Sequence, residues 1–97
     1  MGAETFYTQE EGPTAKAAFS AAVSQARWDH GNSGYTGTVA EKSVFVLIEL
    51  PEGREPEEYA DELIHTGDPR VDSKWGSAGC IKIPGKDKYL FFGWASS

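Results

Sequence analysis

Side chains equipped to hold a ligand are concentrated in two stretches of this chain. The first runs Trp28-Asp29-His30-Gly31-Asn32-Ser33-Gly34-Tyr35-Thr36-Gly37-Thr38-Val39-Ala40-Glu41-Lys42. Its three glycines permit turns in which successive backbone N–H groups converge on an anion. Lys42 would add positive charge, Tyr35 a ring for stacking, and Thr36 and Thr38 hydroxyls for hydrogen bonds. The second stretch is Asp72-Ser73-Lys74-Trp75-Gly76. A lysine beside a tryptophan suits a planar, negatively charged ligand, and stacking a base on such a ring is worth about 1–3 kcal/mol. With His30, the candidate binding residues are His30, Tyr35, Thr36, Thr38, Lys42, Lys74 and Trp75.

The position of the glycines limits what that chemistry can be. Phosphate loops lead from a strand into a helix N-terminus, where the dipole favours an anion. These glycines follow a helix C-terminus, whose dipole has the opposite sign. The segment is therefore neither a P-loop nor a dinucleotide fingerprint, and side chains and turn amides would have to hold an anion. Each residue also has a purely structural reading. Gly31 is placed as a C-cap, His30 as a cation facing the dipole, and Trp75 as a lid on one end of the core.

Other chemistry is thinly represented. His65 falls in the last turn of a second helix, again as a dipole partner. Cys80 lies inside a strand beside Ile81, where a cysteine behaves as a small hydrophobe rather than a nucleophile. Two distant histidines and one cysteine, without CxxC or HxxxH spacing, give no metal site, and no cofactor is expected. Glu41 beside Lys42 reads as a turn ion pair. With His30 it is the one acid–base pair to test, and an enzyme is the least favoured class.

Composition bounds the remaining options. The chain has 97 residues, one domain, with net charge −6 and a pI near 4.8. That balance argues against non-specific nucleic-acid binding and against anionic membrane surfaces. It leaves room for a small anionic ligand, because much of the acidity is local. Glu49, Glu52, Glu55, Glu57, Glu58, Asp61 and Glu62 form one block. A single cysteine excludes an internal disulfide, and a reducing cytoplasm is the expected compartment. No apolar run approaches the roughly 18 residues of a membrane span. The start of the chain lacks a signal pattern, and Phe6 stands where myristoylation wants Ser or Thr. A domain of this size buries only about 60–65% of its unfolded surface, so a second copy could complete its core and a homo-oligomer is expected.

The elements that must position these residues follow from periodicity. Glu4 to Gln9 is a short, β-prone edge strand. Ala15, Ala18, Phe19, Ala22, Val23 and Ala26 fall on one face of a helix over about residues 14–30. Thr14 is its cap, and the alanine stripe lets it lie close to a sheet. Residues 43–50 are apolar on both faces, which predicts a central strand buried on both sides. Thr38-Val39-Ala40 is an earlier part of that strand or one arm of a hairpin. Pro56 opens a short, acidic, peripheral helix that ends at His65-Thr66-Gly67. Residues 68–77 form a loop. Residues 78–83 and 88–94 make a hairpin around the type II turn signal Pro84-Gly85. Tyr89, Phe91, Phe92 and Trp94 supply core on both faces of the last strand, or an exposed patch if no helix covers the outer face. The order is β-α-β-α-β-β. It predicts an α+β two-layer sandwich, a mostly antiparallel sheet of about four strands with one long and one short helix.

The run Gly34-Tyr35-Thr36-Gly37-Thr38-Val39-Ala40-Glu41-Lys42, with Lys74-Trp75-Gly76 and Ala78-Gly79-Cys80-Ile81 downstream, resembles a family of small uncharacterised phage and prokaryotic proteins. The resemblance covers most of the chain. It implies a natural domain of viral or prokaryotic origin and no particular mechanism. Small phage proteins that sequester nucleotide signals are one class it would fit. The leading expectation is thus a cytoplasmic binding module that holds a small anionic or nucleotide-like ligand between residues 31–42 and the Lys74-Trp75 loop. The alternative is a protein-interaction or inhibitor module that uses the acidic residues 49–62 and exposed aromatics.

Overall fold

The computed structural model describes residues 3–30, 39, 42, 44–72 and 76–96. The elements are β1 (Ala3–Glu11), α1 (Ala15–His30), β2 (Phe45–Leu47), α2 (Pro56–Thr66), β3 (Ala78–Lys82) and β4 (Lys88–Ser96). The α+β class and the order β-α-β-α-β-β are as expected. One sheet runs β1-β4-β3-β2. β1 pairs antiparallel with β4 from Ala3↔Ser96 to Glu11↔Lys88, and β3 pairs antiparallel with β4. β2 lies parallel to β3, which makes the mostly antiparallel sheet mixed.

Local chemistry explains where the elements start and stop. The Ala17 N–H donates to Thr14 Oγ1 at 3.1 Å, the cap predicted for α1. α2 opens on Pro56 and carries Glu57 and Glu58 in its first turn. It closes on Gly67 in the left-handed region at φ 73°, ψ 40°. Gly67 N–H donates to Ile64 O and Asp68 N–H to Leu63 O, a Schellman closure. At the hairpin, Lys86 N–H donates to Ile83 O across Pro84 and Gly85, with Gly85 at φ 76°. That is the type II geometry its sequence specified.

The two helices lie on opposite faces of the sheet, where a two-layer arrangement had placed them together. Topology supplies the reason. β1, β2 and β3 all point the same way. The connection from β1 to β2 crosses the sheet in one direction, and that from β2 to β3 steps back in the other. Parallel crossovers are right-handed in nearly all proteins, so opposite steps put α1 and α2 on opposite faces. On the α1 face, Ala18, Phe19 and Ala22 pack with Phe6, Ala78, Cys80, Tyr89, Phe91 and Ala95. On the α2 face, Ala60, Leu63 and Ile64 pack with Ile48, Val71, Ile81, Leu90 and Phe92.

Two further expectations change, and the expected aromatic core on both faces of β4 is present. The apolar run at residues 43–50 forms an edge strand, not a central one, and Val44 and Leu47 are exposed. Both faces of the sheet carry a helix, and Phe45 packs, half-buried, against the α1-side core while Val46 packs, half-buried, against the α2-side core. A continuous apolar pattern reports two covered faces, not a central place. The acidic α2 is not peripheral, because it closes the second core. Tyr89, Phe91 and Phe92 are buried beneath the helices and Trp94 is half-buried. The exposed aromatics of the interaction-module reading are therefore not these residues.

Candidate functional site

The strands that follow the two sequence-defined segments, β2 and β3, are adjacent and parallel, so both begin at one end of the sheet. β2 follows residues 31–42, and β3 follows Lys74-Trp75. The strands are parallel with Phe45 opposite Ala78, and Ala78 N–H donates to Val44 O at 3.0 Å. The residues that follow the two segments are thus hydrogen-bonded neighbours within one chain. α1 rises about 1.5 Å per residue and runs back from the β1–α1 connection, so His30 closes it at this same end.

Among the seven candidate residues, Lys42 is the one whose side chain the structure describes. It is 2% exposed. An ammonium removed from water costs several kcal/mol unless polar groups meet it, so Lys42 acts from the protein interior rather than from an open surface. Its N–H donates to Val39 O at 3.0 Å, and Val39 is 1% exposed in the α1-side core. Val39 therefore sits in a tight helical turn, not in an extension of β2. His30 is the last residue of α1, and its side chain lies outside the described atoms. Tyr35, Thr36, Thr38, Lys74 and Trp75 lie outside the described residues, as do Gly31 and Glu41.

Sequence reasoning missed Arg70, which stands at this same end. It follows Pro69 in the turn after α2. The Arg70 N–H and Nε both donate to Asp68 Oδ1 at 2.9 Å, and Nη2 donates to Asp68 Oδ2 at 2.9 Å. These bonds hold the Asp68 carboxyl well below its usual range, at about 2. A guanidinium has five N–H donors, so it can bind one carboxylate edge-on and still address a second anion. Beside it, Val46, Pro69, Arg70, Gly76 and Ser77 line a cavity of about 300 Å³. Gly76 directly follows Trp75, and Val46 is on the strand that follows Lys42. The available signal was Asp68-Pro69-Arg70, a turn in which an acid and a base flank proline.

A second groove, of about 650 Å³, lies between β1 and α2 and is lined by Glu4, Thr5, Tyr7, Asp61, Ile64, His65 and Trp94. Three of its polar side chains, Tyr7, Asp61 and His65, are linked to one another. Tyr7 Oη donates to Asp61 Oδ1 at 3.0 Å, and His65 Nδ1 lies 2.8 Å from Asp61 O and 3.3 Å from Asp61 Oδ2. Burial, with the Asp61 hydrogen bond and charge behind it, pushes the Tyr7 phenol up to about 12. It remains a donor at neutral pH rather than a base. The two carboxylates make this groove unsuited to an anion.

Cys80 is fully buried, and burial pushes its thiol up to about 12, so it is an inert core residue as expected. No group of three or more His, Cys, Asp or Glu side chains placed to hold a metal occurs among the described residues. Among them, too, no helix is long and apolar enough to cross a membrane. Comparison of the chain with protein-family models, with curated proteins and with solved structures returned no match.

Proposed function

We propose that this protein is a small binding module for a compact anionic, nucleotide-like ligand, held where residues 31–42 and the Lys74-Trp75 loop enter the sheet. One observation carries the reading. The cavity beside Arg70 sits against the strand that follows the first segment and is lined by the residue that follows Trp75. Its volume is at the lower end of the roughly 300–1,000 Å³ of small-molecule sites. In this reading Tyr35 and Trp75 stack on the planar part of the ligand. Arg70 and Lys74 meet its charge, while Thr36 and Thr38 hydrogen-bond to it. Lys42 supplies positive potential from below. The resemblance on residues 34–42 and 74–81 supports a phage-encoded protein that works in the host cytoplasm.

The test is native mass spectrometry after incubation with a metabolite extract, followed by calorimetry with whatever is retained. Trp75→Ala and Arg70→Gln should each weaken binding at least tenfold. The Arg70 side chain is 44% exposed, so Arg70→Gln should shift the melting temperature of the free protein by only a few degrees. Unchanged affinity in both variants would overturn the assignment.

A second reading is favoured by the surface of α2 and the turn before it. Glu49, Glu52, Glu55, Glu57, Glu58, Asp61 and Glu62 are all exposed, a face suited to a basic protein partner. Capture of a basic protein from host lysate at low salt, released by raising the salt, would support it. An empty pull-down under those conditions would count against it.

A further inference from the structure

We infer that β2 is the interface through which a second copy of this chain continues the sheet. The alternation along β2 fixes which groups face outward. Val44 O accepts from Ala78 N–H at 3.0 Å, and Ile48 N–H donates to Cys80 O at 2.8 Å. The even-numbered residues therefore bond to β3. The backbone N–H and C=O of Phe45 and Leu47 point to the open edge, beyond which no described strand lies. Open edges invite pairing, and proteins guard them with charge, proline or bulges.

The two edges of this sheet differ on that point. β1, at the far edge, carries Glu4, Glu10 and Glu11. A two-fold axis through its Tyr7 would set Glu4 against Glu10 of a second copy, and like charges repel across strands. β2 carries no charged residue from Ser43 to Ile48. It also exposes Val44 and Leu47, at 56% and 61%. A two-fold axis through Val46 pairs Phe45 with the second copy's Leu47, and Val44 with its Ile48. Every facing residue is then apolar. The outward groups of Phe45 and Leu47 exchange N–H···O bonds with the same groups of the copy. Leu47, exposed in one chain, lands beside Phe45 on the α1 face of the other. This self-complementarity selects a second copy over an unrelated peptide. Val46 lies on this axis and also lines the cavity beside Arg70, but the pairing rests on the open edge of β2 alone and does not depend on the ligand reading.

Light scattering coupled to size exclusion, across a dilution series of the intact protein, should report a mass twice 10.5 kDa that halves on dilution. Leu47→Lys should shift the dimer to monomer by at least tenfold in dissociation constant. Leu47→Pro, which removes an outward N–H and leaves the β3 ladder untouched, should do the same. Circular dichroism should show both folded. A wild type that is monomeric throughout, or variants that stay dimeric, would overturn the inference. If a variant fails to fold, hydrogen exchange on the wild type decides. Amides of Phe45 and Leu47 should gain protection as the dimer forms, and protection that does not follow concentration would overturn it.

Discussion

The two faces of the sheet solve the same packing problem with different materials. The α1 face is built from small residues and rings. Ala18 and Ala22 bring the helix close, and Phe19, Phe45 and Phe91 fill the remaining space with centroids 5.0, 5.4 and 5.9 Å apart. The α2 face is aliphatic, with Ile48, Leu63, Ile64, Ile81 and Leu90 around Phe92. It is tied at its rim by polar pairs, Tyr7 to Asp61, Gln9 to Glu57 and Arg54 to Glu62. A ring cluster concentrates stability in a few side chains, whereas an aliphatic layer with a polar rim spreads it. Truncation should therefore hurt most on the α1 face, and enlargement should be felt on the α2 face where the sheet backbone is crowded.

Phe91→Ala removes the central ring of the α1 face and should cost about 3–5 kcal/mol, measured by urea denaturation. A cost below that of Leu63→Ala on the other face would break the comparison. Gly79→Ala should come next, at about 1–3 kcal/mol. A Cβ there would lie 2.5 Å from Phe92 Cζ and 2.9 Å from Val71 Cγ1. Combining it with Phe92→Leu should recover part of the loss, and strict additivity in the double-mutant cycle would dismiss the crowding. At the rim, Tyr7→Phe should cost less than about 1 kcal/mol.

The rim also titrates in a defined direction. The Tyr7 phenol moves from 10.0 unfolded up to about 12 in the fold. The fold therefore favours the protonated form, and that contribution is whole below pH 10 and is lost between 10 and 12. Because Cys80 titrates in an overlapping window, the check is the difference between wild type and Tyr7→Phe, which should narrow as pH rises through it. The smallest effect belongs to Asp68, which moves from 3.8 down to about 2. Its contribution is whole above pH 4 and is lost as pH falls from 4 to 2. Asp68→Asn should flatten that acid limb, slightly, since partly exposed pairs are worth little.

What could be read in the sequence follows the range of the forces involved. The α1 stripe, its Thr14 cap and the Pro84-Gly85 turn are set by residues within a few positions of one another, and all are present as read. The side of the sheet on which α2 packs and the edge position of β2 depend on crossover direction and on pairing with residues more than thirty positions away. No local period encodes those. At the candidate site, the sequence marked two segments, and the strands that follow them, β2 and β3, pair in parallel. It missed Arg70, whose place beside that end depends on the Gly67 turn and not on any pattern of its own.

The pairing of β1 with β4 has a temporal consequence. Every rung of that ladder joins residues separated by most of the chain, from Glu11 with Lys88 to Ala3 with Ser96. Such distant closures slow folding. During synthesis β1 emerges well before β4, its partner strand among the described residues. The nascent chain must therefore carry an unsatisfied strand until β4 emerges, and the three glutamates of β1 would keep that strand from pairing with the β1 of neighbouring nascent chains.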